Sequence, residues 1–434
     1  MSEQARVYFP EDRLPITRLI PMGIQHVVAM FGATVLAPIL MGFDPQVALF
    51  FSGIGTLIFL TITRFKVPSY LGSSFAFIGP VLAVTTGDAT RIPDALFGIA
   101  GAAVLYGVAA VITLRWGPAW IDKLMPPVVT GTVVALIGLN LASSAVSNAI
   151  NATFTIATPA DRIHLLVATV TFLTSSIVAV YLRGILRLLP ILIGVLVGYA
   201  LSAALGQLDP EAMARLGQAA WVGLPPLQTP HPNLGALLVI SPVFVVLVAE
   251  NKGHIAAISG YMNRDLNPML GRAYLGDAIA TFVSALGGGT PQTTYAENMG
   301  VMAITRVYSV SVFVVAAFVA LLLGICPKFG AAILSIPPPV LGGVSLVLYG
   351  LITLMGVKIW LDAKVDFSSQ RNLIVAGVSL VVATGLGVKG LTVGSLNLAG
   401  IALGTVLALA LNLLMGIGAP KSETRKGARV RAGK

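Results

Sequence analysis

The sequence predicts an all-α polytopic membrane protein with 14 transmembrane segments in a 7+7 inverted repeat. Of its 434 residues, 56% are hydrophobic and only 10% are charged. Several uncharged runs, such as 309–327, approach the length of about 20 apolar residues that a helix needs to cross a bilayer. A soluble fold would leave too much of this apolar surface in water. The chain is therefore expected to lie in a membrane.

Fourteen hydrophobic segments follow one another along the chain. Most have the length of a complete span, and polar or charged stretches separate them. The predicted segments are approximately 17–42, 44–63, 67–83, 94–115, 124–144, 163–182, 186–205, 233–256, 272–286, 291–305, 308–326, 331–355, 371–388 and 395–417.

The distribution of positive charge supports this number of spans. The net charge is +10, and cytoplasmic loops of membrane proteins are enriched in Lys and Arg. With a cytoplasmic N-terminus, the only Lys and Arg residues on the outer side are Arg91, Arg162, Arg215, Lys328 and Lys389. We therefore expect both termini to lie in the cytoplasm. The basic tail, 418–434, is interpreted as a contact for anionic lipid headgroups, and no nucleic-acid partner is expected.

A repeated motif indicates a duplication. The stretch PPVVTGTVVALIGL (126–139) shares half of its fourteen positions with PPVLGGVSLVLYGL (338–351). The two copies fall in the fifth and twelfth segments, so each repeat has seven spans, and an odd number of spans inverts the second copy in the membrane. Inverted repeats are common in secondary transporters. The polar stretch 206–232 lies between the copies and is interpreted as an external connector.

Two segments in matching positions of the repeats are unlike ordinary spans. KVPSYLGSSFAFIGP (66–80) and GGGTPQTTYAENMGVMAITR (287–306) are rich in Gly, Pro, Ser and Thr. Backbone outside a helix survives at membrane depth only inside protein or beside a wet cavity. We expect spans 3 and 10 to be broken, each with a short extended stretch before a half-helix that starts near Ala76 or Glu297. The positive helix ends would suit a ligand with carbonyl oxygens or negative charge.

Three ionisable residues inside the spans are candidates for substrate binding and proton coupling. Glu250 and His254 are four residues apart and share one helical face, and Glu297 lies in the second broken segment. A charge within a membrane span costs at least about 2.5 kcal/mol. Two buried carboxylates without a cation in their own segments are hard to explain by packing. Their burial and mutual repulsion favour proton binding.

Four further residues have both a functional and a structural interpretation. His26 could bind or make a helix-packing hydrogen bond, and Asp277 could be functional or lie at a span end beside Arg272. Phe75 and Tyr295 sit at the breaks, where rings could sandwich a flat ligand or simply pack. A planar cyclic imide or lactam, such as a free nucleobase, would match the carboxylates, the backbone N–H groups and the aromatic faces together.

The segment ENMGVMAITR (297–306) resembles the signature of the nucleobase/ascorbate transporter family: an acidic or amide residue, Asn, a spacer, Gly, four residues, Thr and a basic residue. The resemblance extends through MFGATVLAPIL, VPSYLGSSFAF, PILIGVLVGYAL and TTYAENMGVMAITRVYS. It covers the chain from Leu14 to Gly416. Within the family, the sequence is most similar to bacterial uracil and pyrimidine permeases.

The resemblance implies a proton symporter that works as a homodimer. Spans 1–4 and 8–11 would form a core domain, and spans 5–7 and 12–14 a gate domain. The implied boundaries are a cytoplasmic N-terminus at 1–16, core at 17–116, gate at 117–205, connector at 206–232, core at 233–330, gate at 331–417 and tail at 418–434.

The resemblance also assigns residue roles. Glu250 and Glu297 would hydrogen-bond the base, the backbone amides of Phe75 and Ala296 would reach its carbonyl oxygens, and His254 would act through water and in proton coupling. The implied substrate-binding residues are Phe75, Glu250, His254, Tyr295, Ala296 and Glu297, with Tyr295 lining the pocket. The supporting residues are His26, Ser74, Asp277 and Asn298.

Three residues bear on the substrate. Ala296 stands where uracil permeases have glycine, and Asp277 resembles an acidic residue of purine-transporting relatives. Glu297 is the residue of uracil-type members, where xanthine and urate types carry glutamine, which can donate as well as accept. We expect import of uracil or a related pyrimidine by alternating access. A xanthine, urate or other purine permease is the alternative, and an anion exchanger or channel of the same fold is a third possibility.

No enzymatic activity is expected. The sequence shows no nucleophile with a base and an orienting group, no cluster of metal ligands and no nucleotide-binding loop. No cofactor is expected either, and the proton is the expected coupling ion.

Overall fold

A computed structural model of the protein describes residues 7–151, 155–393 and 396–416, and these are mostly helical. The basic tail and residues 1–6 of the predicted cytoplasmic N-terminus lie outside these ranges. The first half contains α1 (Ile16–Met41), α2 (Pro45–Ile62), β1 (Leu71–Ser73), a 3-10 turn (Phe75–Phe77), α3 (Ile78–Thr85), α4 (Ile92–Trp116), α5 (Ala119–Leu124), α6 (Pro127–Ala149), α7 (Pro159–Tyr181) and α8 (Pro190–Ala204).

The second half repeats this order of elements. After α9 (Pro210–Gln218) in the connector come α10 (Leu234–Ile240), α11 (Phe244–Met262), α12 (Leu270–Leu286), β2 (Gln292–Thr294), α13 (Ala296–Thr305), α14 (Val310–Gly324), α15 (Pro327–Leu334), α16 (Pro338–Asp362), α17 (Gln370–Leu386), β3 (Leu391–Val393), β4 (Leu396–Leu398) and α18 (Gly400–Leu414). In both halves, a strand and a short helix follow the second membrane element. The β3–β4 hairpin has no counterpart among the described elements of the first half.

Seven helical stretches in the described part of the chain are long and apolar enough to cross a membrane. They are Ile16–Met41, Pro45–Ile62, Ala89–Trp116, Pro127–Ala149, Pro159–Tyr181, Leu234–Met262 and Pro338–Asp362. Helices α14 and α15 would make an eighth, although they meet at 81°. Shorter apolar helices include Phe75–Thr85, Pro190–Ala204, Gln370–Leu386 and Gly400–Leu414.

The twelfth segment differs from its predicted bounds, 331–355. Helix α15 ends at Leu334, and α16 begins only at Pro338 and continues to Asp362. Proline lacks the N–H that a helix interior needs but fits the first helical position, so the run Pro337–Pro338–Pro339 interrupts the apolar segment and starts a new helix.

The helices pack in two groups. In the first, α12 packs against α4 and α2, and α14 packs against α2 and α1. In the second, α16 packs against α6 and α7, and α17 packs against α18. We call these the first and second packing groups: α1–α4 with α10–α14, and α6–α8 with α16–α18.

Helices α6 and α16, which carry the two copies of the repeated motif, pack along each other. Glycines permit the close approach: a Cβ atom on Gly138 would lie 2.9 Å from the Thr353 amide nitrogen and even closer to the Tyr349 carbonyl oxygen. A Cβ atom on Gly356 would meet the backbone of Gly131 and Ala135. Small residues are common where membrane helices touch, because their backbones can then approach.

A two-stranded antiparallel ladder joins the two halves of the chain. Leu71 pairs with Thr294, and Ser73 pairs with Gln292. Two more bonds extend it: the Tyr295 amide donates to the Tyr70 carbonyl at 3.1 Å, and the Ser74 amide donates to the Pro291 carbonyl at 2.9 Å. The ladder supplies the hydrogen bonds that the backbone lacks where it is not helical. Because the strands are antiparallel and each leads directly into a helix, the two helices leave the ladder in opposite directions.

Candidate functional site

The ends of this ladder carry two helix starts without side-chain caps. Helix α13 follows Tyr295, whose backbone is extended, with φ −102° and ψ 128°. The turn at Phe75 follows Ser74, also extended, with φ −77° and ψ 124°. Neither Tyr295 nor Ser74 caps its helix through its side chain. The first N–H groups of a helix have no partner within it, so these two starts can donate to ligand oxygens.

Two carboxyl groups accompany the helix starts. Glu250 lies on α11, and Glu297 lies in the first turn of α13, where the helix dipole favours negative charge. Helices α11 and α13 contact each other, and both residues are partly buried. Oxygen Oε2 of Glu250 is buried without a hydrogen-bond partner among the described residues. An unpaired buried acceptor is costly, so this oxygen marks a position where a ligand N–H would be favourable.

His254 is connected to the ladder. Its side chain is buried, and Nδ1 lies 2.7 Å from Oγ1 of Thr294, the last residue of β2. The hydrogen-bond partner is therefore a strand residue from another segment of the chain. This contact holds the His254 side chain of α11 against β2, the strand that leads into α13.

The Thr294 hydroxyl can be tested by its near-isosteric replacement. We expect Thr294→Val to destabilise the protein by roughly 1–3 kcal/mol, because His254 Nδ1 would stay buried without a partner. Thermal unfolding of the purified protein in detergent measures the loss. Thr61→Val is the control, because the exposed Thr61 hydroxyl donates only to Leu57 within its own helix. Equal melting temperatures for the two variants would contradict the assigned role of Thr294.

The aromatic residues at the breaks have defined contacts. The Tyr295 hydroxyl donates to the Ser73 carbonyl at 3.0 Å, and its ring covers Gly72 so closely that a Cβ atom there would collide with it. Phe75 is 7% exposed and faces Tyr349 of α16 edge-on, with ring centroids 6.1 Å apart. Sequence reasoning missed Tyr349, whose buried hydroxyl has no partner among the described residues. Its position in the second copy of the repeated motif was the available signal.

His26 contacts Asn298 and Phe313. Asn298 Nδ2 lies 3.0 Å from His26 Nδ1, and the imidazole packs against Phe313 with ring centroids 4.6 Å apart. Both polar residues are buried. The pair connects α1 to α13 one residue after Glu297, while His26 Nε2 is buried without a hydrogen-bond partner among the described residues. The hydroxyl oxygen of Ser74 is buried and has no partner within the described part of the chain.

Asp277 does not lie beside Arg272, so the span-end interpretation was wrong. The Arg272 guanidinium instead donates to the Ile62 carbonyl at 3.3 Å. Asp277 is fully buried and accepts hydrogen bonds from the Asn251 amide and, at 3.5 Å, from the Tyr106 hydroxyl. These three residues meet because α12, which carries Asp277, packs against α4 and contacts α11. This buried network lies next to Glu250 in the chain, yet Asp277 does not line the cavity described below.

A cavity of about 730 Å³ opens between the two packing groups. Glu250, His254 and Ala296 line one part of it, whereas Phe75, Tyr295 and Glu297 are not among its lining residues. Other lining residues come from α6 and α16: Pro127, Thr130, Val134, Met355, Lys358, Ile359 and Asp362. Within the described residues, no group of three or more His, Cys, Asp or Glu side chains could hold a metal ion. Glu250 and His254 are the two predicted site side chains with hydrogen-bonding groups that line this cavity.

Known proteins of similar sequence are transporters. A family described as the permease family matches residues 17–393. The putative pyrimidine permease RutG of Escherichia coli is 46% identical over 422 residues, which cover 95% of this chain and 93% of that relative. The uracil permease of Bacillus caldolyticus is 41% identical over 416 residues, covering 93% of this chain and 94% of that relative.

Solved structures show the fold at low sequence identity. A murine anion transporter of the solute carrier 26 family, in the inward-facing state, matches with a TM-score of 0.68 at 13% identity, over 94% of this chain and 70% of that one. The transmembrane domain of the cyanobacterial bicarbonate transporter BicA matches with a TM-score of 0.62 at 15% identity, over 95% and 100% of the two chains. The sequence match confirms the resemblance carried by ENMGVMAITR: the chain is a multi-pass membrane protein of the permease family, the nucleobase/ascorbate transporters.

Proposed function

We propose that this permease imports uracil or a closely related pyrimidine base across the inner membrane, together with a proton, by alternating access. The observation that carries the proposal is the 46% identity, over 95% of the chain, to a relative named as a pyrimidine permease. The uracil permease of Bacillus caldolyticus supports the same substrate class. These relatives are named as permeases and not as enzymes.

The proposed site chemistry pairs each edge of the base with a group of the protein. The carboxylates of Glu250 and Glu297 accept its N–H groups, and the amides of Phe75 and Ala296 donate to its carbonyl oxygens. The uncapped helix starts and the unpartnered Glu250 Oε2 support this arrangement. Charge-assisted hydrogen bonds are stronger than neutral ones, so a carboxylate that stays ionised in the loaded form supplies the largest share of the affinity. Tyr295 completes the pocket by holding the Ser73 backbone.

The proposed movement uses the two packing groups. The first group would be the core domain and the second the gate domain, with the boundaries given by the family resemblance. The cavity between them supports a site that opens when they separate. The proposed topology has 14 spans, with the two ladder segments as spans 3 and 10 and both termini in the cytoplasm. The protein would work as a homodimer.

Proton coupling follows from the proximity of the two carboxyl groups. Two carboxylates near each other in a membrane are not both ionised without cost, so a proton shared around Glu250 and His254 would stabilise the loaded form. Release of the base on one side would then accompany release of the proton. His254, fixed by Thr294, lies one helical turn from Glu250 and can exchange the proton with it through water.

The test of this function is uptake into proteoliposomes. We expect radiolabelled uracil to accumulate when the lumen is more alkaline than the medium, and a protonophore to abolish the accumulation. Equilibrium binding of uracil and xanthine to the purified protein fixes the substrate class. Preference for xanthine would make the protein a purine permease. Uptake that does not depend on the proton gradient would contradict symport. Bicarbonate or chloride flux without binding of a base would contradict both nucleobase transport and proton symport.

A further inference from the structure

The described residues before α1 do not extend away from the protein. We call residues 7–14 the N-terminal strap. The Tyr8 amide donates to the Arg306 carbonyl at 3.1 Å, and the Tyr308 amide donates back to the Tyr8 carbonyl at 2.7 Å. The Val310 amide donates to the Pro10 carbonyl at 3.2 Å. The strap therefore pairs, as a short parallel bridge, with the segment that joins α13 to α14.

Side chains reinforce this attachment. Tyr8 and Leu14 are 9% and 6% exposed and pack with Val307 and Val312 in a small apolar cluster. The Ser309 hydroxyl donates to the Asp12 carbonyl at 2.5 Å. The strap is thus held by backbone pairing, by burial and by a buried hydroxyl, which together order a segment that would otherwise be free.

The same strap also contacts the end of α11. Both carboxylate oxygens of Glu11 accept hydrogen bonds from Arg264 Nη1, at 2.8 and 3.0 Å. The Arg264 guanidinium also lies 3.8 Å from the centre of the Phe9 ring. Arg264 follows Asn263, whose left-handed backbone (φ 51°) ends α11. The arginine therefore fastens the terminus of this helix to the strap.

The strap contacts the end of α11 and the segment that follows α13. Each of these two helices carries a carboxylate of the proposed site. Helix α11 carries Glu250, and α13 begins with Ala296 and Glu297 and ends at Thr305. A ten-residue helix is about 15 Å long and is marginal in isolation, so its direction depends on what holds its ends. The ladder holds one end of α13, and the strap holds the other.

We propose that the N-terminal strap is a positioning element for the substrate site: by joining the ends of α11 and α13 through Glu11, Arg264 and Tyr8, it keeps Glu250 and Glu297 at the spacing that binds the base. This inference rests on the proposed function for its ligand but not for its geometry. Loosening the strap lowers the fraction of molecules with an aligned site, and apparent affinity falls by that fraction.

The test compares Glu11→Gln and Arg264→Gln with the unchanged protein. We expect each variant to bind uracil about threefold to fivefold more weakly. A half-exposed ion pair contributes little to stability, and only part of that contribution changes the fraction of molecules with an aligned site. Amide hydrogen exchange in residues 296–305 is expected to accelerate in both variants. The double variant Glu11→Arg with Arg264→Glu restores the ion pair and is expected to recover most of the affinity.

Arg215→Gln is the matched control, because Arg215 makes an exposed ion pair with Asp209 in the connector, at 4.0 Å. Its affinity and exchange should equal those of the unchanged protein. A lower melting temperature in Glu11→Gln with unchanged affinity and unchanged exchange at 296–305 would make the strap a stabilising element only and overturn the proposal. If the unchanged protein binds no uracil, the proposed function fails, and exchange at 296–305 alone decides the role of the strap.

Discussion

Substitution of Glu297 by alanine is expected to weaken uracil binding roughly 100-fold, since a hydrogen bond to a charged group contributes up to about 3 kcal/mol. The loss is large because Glu297 combines a carboxylate with the N-terminal turn of α13, where the same helix start offers the Ala296 amide. Glu297→Gln keeps the shape but replaces one acceptor by a donor, and we expect about a tenfold loss in this variant. Calorimetric titration of the purified protein measures both.

The control for these variants is Glu211→Ala, because Glu211 is an exposed carboxylate on α9 in the connector. Melting temperatures should be recorded in parallel, since a misfolded variant would also fail to bind. A folded Glu297→Ala protein with unchanged uracil affinity would remove Glu297 from the site. Xanthine binding gained by Glu297→Gln would show that this position selects between the two classes of base.

The second large predicted effect is on stability, and it comes from replacing one of two equivalent glycines in the repeated motif. The other glycine is the control. Gly138 and Gly350 occupy the same position in the two copies of the motif. Gly138 faces α16, where a Cβ atom would press against Tyr349 and Thr353, whereas a Cβ atom on Gly350 would meet nothing within 4 Å. We expect Gly138→Ala to destabilise the protein by about 1–3 kcal/mol, the usual cost of overpacking. Gly350→Ala should be neutral or stabilise it by up to about 1 kcal/mol, because alanine favours helix.

Thermal unfolding of the two variants in the same detergent checks this contrast. The expected order of melting temperatures is Gly138→Ala lowest, and Gly350→Ala equal to or above the unchanged protein. A similar decrease in both variants would mean that the glycines serve a property common to the repeats, such as helix bending, and not the contact between α6 and α16.

The hydrophobic segments were sufficient to predict most of the helices. Helix α1 begins at Ile16, one residue before the predicted segment, and α12 ends at Leu286 as predicted. A helix that crosses the bilayer must be apolar along most of its length, so its amino-acid composition alone is enough to identify it. The break before α16 was not anticipated, although three consecutive prolines there are incompatible with a continuous helix.

The candidate site was partly accessible from sequence for a similar reason. A carboxylate in an apolar segment is visible in one dimension, which is how Glu250 and Glu297 were found. Their partners were not visible, because contacts between distant segments leave no local pattern. Thr294 reaches His254 across 40 positions, and Glu11 reaches Arg264 across 253. The predicted cytoplasmic N-terminus, 1–16, gave no sign that its residues 7–14 would pack against the protein.

The ladder between β1 and β2 also sets the order in which the molecule can be made. Ser73 and Thr290, whose hydroxyl groups lie 2.6 Å apart, are separated by 217 positions in the chain. When β1 enters the membrane during synthesis, its partner strand has not yet been translated, and its backbone must wait unpaired or be protected by neighbouring helices. Closing so long a loop is slow compared with forming a helix. The ladder is therefore among the last parts to assemble, and neither half of the chain can form the proposed site by itself.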